Sequence, residues 1–263
     1  MKSNALFRIP DKTRNRLCTP DVQDTIRTAV IGAGSGSGVS LVSGLLAAWI
    51  RRTLSGETVA LVELGTPYFY EAYGIEKRFL YRDFHPIHTY AAEKKSIRRL
   101  TNIEEGINWI LHSPDDAQAQ DVKMCADVAL RLVHNTAGSV CLFDCSGMGR
   151  HVWDIASEMD VTVCVLDPLP TKLLPFAQEI ECIRLNAPNP VFVVNNMNRG
   201  VHRGELKRFL CGIDWIELPH LQAEDLYRAQ YSCILPYSIP SVQIAANEAL
   251  SKLWAHIARK KTA

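Results

Sequence analysis

Ser139–Phe143 reads Ser-Val-Cys-Leu-Phe and Val161–Leu166 reads Val-Thr-Val-Cys-Val-Leu, so apolar residues stand on consecutive positions rather than alternate ones. A strand wetted on one face alternates, whereas a run of this kind belongs to a strand covered on both faces, as in a parallel sheet. Further strand-like runs occur at Thr28–Ile31, Thr58–Leu64, Pro190–Asn195 and Trp215–Leu218. Helix-like runs separate or follow them at Val39–Leu54, Asp121–Asn135, Lys172–Arg184, Arg203–Leu210, Leu221–Gln230 and Val242–Arg259. Strand alternating with helix predicts an α/β fold, a doubly wound and mostly parallel sheet with helices on both faces. Residues 66–120 are the least regular stretch: Pro67, Pro86 and Pro114 interrupt it, and Ile87–Tyr90 and Ile107–Leu111 read as short strands.

The chain has 263 residues, 47% of them hydrophobic, which suffices for one large core without covalent staples. Residues 28–263 are expected to form a single domain, and residues 1–27, with Pro10, Pro20, Arg8, Lys12, Arg14 and Arg16, an N-terminal arm or capping segment. A formal net charge of +1 gives no reason to expect nucleic-acid binding. The eight cysteines include no Cys-x-x-Cys pair and mostly fall in apolar runs, so they read as reduced, buried residues of a cytoplasmic protein. Cys141 and Cys145 share a strand face but stand about 13 Å apart, too far for a disulfide. The eight histidines show no zinc-ligand spacing. No apolar stretch reaches roughly eighteen residues, so no membrane span is expected. The last helix carries Ala245, Ala249, Leu253 and Ile257 at helical spacing before Lys260-Lys261. It is read as packed on its own sheet, with peripheral membrane contact as the minor alternative.

In open parallel sheets ligands collect at the carboxyl ends of the strands. The segments there are Gly32–Ser40, Glu63–Tyr70, Asp144–Arg150, Asp167–Thr171, Asn195–Arg199 and Pro219–Ala223, and together they are expected to form one face. The first is the most informative: an apolar strand enters Gly32-Ala-Gly-Ser-Gly-Ser-Gly-Val-Ser40, and a helix-like run follows at once. Backbone N–H groups of such a turn, with the N-terminus of the next helix, can surround a phosphate. In a phosphate-binding loop a lysine beside the last glycine neutralises the β/γ oxygens, and Val39 occupies that place. An empty, purely structural loop is the competing reading.

The series of strand-end motifs resembles the MinD/ParA-like branch of P-loop ATPases, which includes nitrogenase iron protein and the TadZ/CpaE proteins of pilus assembly. The family loop reads Gly-Lys-Gly-Gly-x-Gly-Lys-Thr/Ser against Ala33, Gly34, Ser35, Gly36, Ser37, Gly38, Val39 and Ser40, so both lysines are absent. The resemblance implies that Gly34, Ser35, Gly36, Ser37, Gly38, Val39 and Ser40 hold ATP or ADP phosphates, and that Ser40 and Asp144 hold Mg²⁺ once nucleotide is bound. The family's second strand ends Asp-x-Asp, where this chain has Glu63 and Gly65; Glu63 is read as a solvated strand-end carboxylate. Leu142–Gly147 is similar to the family's strand and turn around the metal-site acid. Val193-Val-Asn195 and Leu218-Pro219 resemble the segments that meet the base, which implies roles for Asn195 and Pro219.

The resemblance therefore implies a degenerate loop with impaired hydrolysis and weak or lost nucleotide binding, in an assembly, positioning or regulatory subunit with a protein partner or a second copy. Two alternatives stand beside it. One is an NAD(P)-binding oxidoreductase, with Gly32-x-Gly34 at the pyrophosphate and Glu63 at a ribose hydroxyl, although Ser37 replaces the third glycine. The other is an active ATPase whose lysine comes from elsewhere, such as Lys172, or from a partner.

Overall fold

The computed structural model describes residues 25–113, 125–148 and 152–259. Most of the arm, the start of the helix expected from Asp121, Arg150 and Lys260-Lys261 lie outside the described residues. In chain order the first half comprises β1 (Ile26–Gly32), α1 (Val39–Thr53), β2 (Val59–Glu63), α2 (Phe69–Ala72), α3 (Ile75–Arg78), α4 (Ile87–Ala92), β3 (Ile103–Glu104) and β4 (Ile107–Ile110). The second half comprises α5 (Ala126–Asn135), β5 (Val140–Asp144), α6 (Val152–Ala156), β6 (Val161–Leu166), α7 (Pro170–Leu173), α8 (Ala177–Asn186), β7 (Pro190–Met197), α9 (Arg203–Phe209), β8 (Trp215–Pro219), α10 (Ala223–Tyr231) and α11 (Pro240–Ala258).

The strands form one eight-stranded sheet in the order β3-β4-β2-β5-β1-β6-β7-β8. All neighbours are parallel except β3, which runs antiparallel to β4 at the edge. The consecutive apolar residues divide between two cores. Val140, Leu142, Val161, Val163 and Val165 face one core beneath α1, α10 and α11. Cys141, Phe143, Cys164 and Leu166 face the other, beneath α4, α5, α6, α8 and α9. Each central strand thus buries both faces, the physical origin of its unbroken apolar run.

Three expectations are corrected. Ile87–Tyr90 belongs to the helix α4: after Pro86, Ile87, His88 and Ala91 share one helical face and bury it, a spacing a strand cannot satisfy. The run expected at Lys172–Arg184 breaks into α7, a 3₁₀ turn at Leu174–Phe176 and α8, where Pro175 lacks the N–H an unbroken helix needs. Cysteine burial is mixed: Cys141, Cys145 and Cys164 are buried, Cys233 is half-buried, and Cys125, Cys182 and Cys211 are exposed, all seven unbridged.

The stripe on α11 is used internally. Ala249, Leu253 and Ile257 are buried with Val242, Ala246 and Leu250 in the first core, and Ala245 packs against it. Among the described residues no helix is long and apolar enough to cross a membrane.

β1 sits at the centre with β5 on one side and β6 on the other, so its exit loop lies where the sheet's connections diverge. That switch point is where doubly wound sheets open a crevice at the carboxyl edge.

Candidate functional site

The loop between β1 and α1 is shaped by three glycines in the left-handed region: Gly34 at φ +95°, Gly36 at +71° and Gly38 at +101°. Side chains rarely tolerate this alternation, which explains glycine at every second position. Gly38 is also the N-cap of α1, and no side chain caps that helix. The first-turn N–H groups have no intrahelical acceptor and carry the positive end of a fifteen-residue helix. Val39 is 7% exposed and belongs to the first core. Its Cγ2 lies 2.8 Å from where a Cβ on Gly32 would stand, so the Val39 side chain serves apolar packing under the loop.

Beside the loop, β2 and β5 end in a pair of buried carboxyl groups. Glu63 and Asp144 are register partners and both are 0% exposed. Glu63 is therefore not the solvated carboxylate expected. Its Oε1 accepts from the N–H groups of Tyr68 at 2.6 Å and Phe69 at 2.9 Å, and its Oε2 from that of His112 at 3.3 Å. Burial pushes the Glu63 carboxyl up to about 7; the Phe69 and Tyr68 N–H groups oppose this, and the Asp144 charge adds to it. The same bonds fold Glu63 inward, away from the ribose contact a dinucleotide-binding site requires. Asp144 is likewise raised by burial, against hydrogen bonding from Ser40 and Ser146. Its Oδ1 accepts from Ser146 N–H at 2.9 Å, and its Oδ2 is buried with no hydrogen-bond partner among the described residues. A hydroxyl and an orphaned carboxylate oxygen are hard oxygen donors of the kind Mg²⁺ takes.

The turns after β2 and β5 are joined by backbone. Leu64 N–H donates to Asp144 O at 2.8 Å and Thr66 N–H to Ser146 O at 2.7 Å. A Cβ placed on Gly65 would stand 1.6 Å from Ser146 O. Main chain thus leaves no room for a side chain at Gly65. His88 Nε2 meets Glu63 O at 2.6 Å, and the rings of His88 and His112 lie tilted against each other with centroids 4.2 Å apart, forming a wall of this corner.

The segment after β6 crosses the loop. Asp167 Oδ1 accepts from Leu169 N–H at 3.1 Å, while Oδ2 pairs with Lys172 Nζ at 2.9 Å. The same Nζ donates to Gly36 O at 3.3 Å. Farther on, the Phe176 ring lies against Gly34, its Cε2 2.6 Å from where a Cβ would stand. Gly34 is therefore covered by an aromatic ring.

On the opposite side, the Asn195 amide sits under the loop. Its Nδ2 donates to Ser37 O at 2.9 Å and stands 2.2 Å from a notional Cβ on Gly38, while its Oδ1 accepts from Asn196 N–H at 2.8 Å. In this arrangement the side chain braces the loop. Pro219 closes β8 opposite Met197, separated from β1 by β6 and β7. Next to Ser40 an apolar cleft of about 130 Å³, open to solvent, is lined by Leu41, Gly44, Tyr68, Leu226 and Gln230.

The structure brings Gly34–Ser40, Asp144 and Asn195 into one neighbourhood at the carboxyl edge, with Pro219 peripheral. Sequence reasoning placed Asp167 among the strand-end segments of the site face but gave it no role, and it missed Phe176, His88 and His112. Asp167 ends a strand on the site face and was legible by position, whereas the other three approach only through tertiary packing. Among the described residues no group of three or more His, Cys, Asp or Glu side chains is arranged to hold a metal ion.

No protein-family model matches the sequence, and no curated protein does. Solved structures match the fold over nearly their whole length. MinD from Pyrococcus horikoshii OT3, complexed with Mg-ADP, superposes at a TM-score of 0.68 with 13% identity, covering 90% of this chain and 98% of its own. A ParA family ATPase from Chlorobium tepidum TLS gives 0.64 with 11% identity, covering 86% and 99%. The MinC:MinD cell division complex from Aquifex aeolicus gives 0.62 with 13% identity, covering 88% and 96%. The chain has the fold of the MinD/ParA P-loop ATPases.

Proposed function

We propose that this chain, with residues 28–263 as one MinD/ParA-like unit, binds a nucleoside di- or triphosphate with Mg²⁺ on the Ala33–Ser40 loop and turns it over slowly or not at all. Phosphate oxygens lie on the N–H groups of the loop and of the first turn of α1. Mg²⁺ is held by the Ser40 hydroxyl and, directly or through water, by Asp144. When bound, the metal supplies positive charge beside the phosphates, and Asp144 gains a partner for its orphaned Oδ2. The observation that supports the reading is the contrast at the strand ends: a glycine loop and helix terminus stand near a buried Asp144 oxygen without a partner, while Ser146 O leaves no room for a side chain at Gly65.

A site that binds without rapid turnover suits a subunit whose conformation reports occupancy. We assign it an assembly, positioning or regulatory role through a protein partner or a second copy, of the kind TadZ/CpaE proteins have in pilus assembly. That a neighbouring fold is solved as a MinC:MinD complex supports a protein partner. Calorimetric titration of the full chain with Mg-ADP and Mg-ATP, alongside a phosphate-release assay, tests the reading. Saturable binding with phosphate release at the level of a protein-free blank is expected. Absence of binding sinks the nucleotide reading, and rapid release sinks the loss of turnover.

A further inference from the structure

An anion on this loop requires a cation that the loop does not contain, and the segment after β6 brings one to it. Lys172 Nζ reaches Gly36 O at 3.3 Å, with a Cβ on Gly36 standing 3.6 Å from the same nitrogen. Its position is fixed by Asp167, whose side chain is 4% exposed and held by Leu169 N–H. An ammonium has three donors, and Gly36 O and Asp167 Oδ2 account for two. The Lys172 side chain is 38% exposed, so the third is open to a ligand at the loop. Asp144, 0% exposed with Oδ2 lacking a partner, marks the metal side of the same crevice.

We infer that Lys172 supplies from within the same chain, on the β6–α7 segment, the phosphate-neutralising charge that Val39 cannot, and so sets the affinity of the site for a nucleoside diphosphate. This rests on the nucleotide-binding reading above. Lys172 binds the phosphate through charge-assisted hydrogen bonding, and Asp167 positions it there. Because Asp167 also places a negative charge near the phosphate, the site is weaker than one whose lysine stands unpaired on the loop.

The test is a fluorescence titration of the full-length protein with a Mg²⁺-complexed, ribose-labelled ADP, at low and high salt, for the unmodified chain, Lys172→Gln and Lys172→Arg. The variant Lys172→Gln is expected to weaken binding by roughly tenfold or more and to flatten the salt dependence, while Lys172→Arg keeps the charge and retains more of the affinity. Thermal midpoints of the three proteins separate binding from folding. If the unmodified chain binds and Lys172→Gln binds equally well, or both variants lose affinity equally, the assignment of Lys172 is overturned while nucleotide binding stands. If the unmodified chain does not bind, both readings fail together.

Discussion

Single residues at this site separate architecture from chemistry. Gly65 stands where the related fold's sequence pattern has its second acid, yet Ser146 O lies 1.6 Å from the point its Cβ would occupy. Gly65→Asp puts a side chain where main chain already stands. It is expected to push the two turns apart and cost on the order of 3 kcal/mol or more, read as a lowered denaturant midpoint with no gain in phosphate release. A stable variant with restored turnover would contradict this. Glu63 makes the complementary point, because its environment was not legible. Nothing in Val-Glu-Leu-Gly says that the chain bends so that Tyr68, Phe69 and His112 offer their N–H groups to one carboxyl. With its pKa lifted from 4.5 to about 7, the folded state holds more protons than the unfolded chain between those values. Stability is thus greatest at the acid side of that window and falls as pH rises through it, by on the order of 3 kcal/mol from this group. Glu63→Gln keeps an Oε1 that can accept from Tyr68 and Phe69. It is expected to flatten that fall in denaturant midpoints measured from pH 4.5 to 8; an unchanged slope would remove Glu63 as its cause.

Elements were legible where local pattern and tertiary environment agree. The six strand-like runs correspond to β1, β2, β5, β6, β7 and β8; burial on both faces writes itself directly into the sequence of the inner strands, whereas β8, at the sheet edge, is buried at alternate positions. Ile107–Leu111 likewise overlaps β4, Ile107–Ile110. α4 was misread because four residues with Ile, Thr and Tyr satisfy strand propensity, and only the shared burial of Ile87, His88 and Ala91 reveals a helical face. The end of β7 shows how an element can tie itself to another. Its pairing with β8 shifts register between Val194 and Met197, Asn196 takes φ +58°, and Asn195 turns beneath the loop after β1. Asn195→Ala leaves Ser37 O without this donor and opens a gap under Gly38. A loss of about 1–2 kcal/mol is expected in chemical denaturation, with faster proteolysis at the loop. A variant as stable and as protected as the unmodified chain would show that the brace carries no weight.

At the scale of the whole molecule, the strand order places three independent contributions around one crevice: a helix terminus after β1, carboxyl groups after β2 and β5, and a lysine–aspartate pair after β6. The sequence made the crevice legible because strand ends in a doubly wound sheet fall on one edge. It did not reveal which side chains cross from one strand end to another, since those contacts join residues more than a hundred positions apart, as Lys172 and Gly36 do. The backbone joint between the turns after β2 and β5 has a mechanical consequence. Two short bonds, Leu64 N–H to Asp144 O and Thr66 N–H to Ser146 O, extend the sheet's ladder beyond the strands themselves. Turns linked in this way move as one leaf rather than two. Hydrogen bonds thus run without a break from Asp144 to the Thr66–Phe69 backbone and, through Glu63, to His88 and His112, tying the crevice floor to its rim.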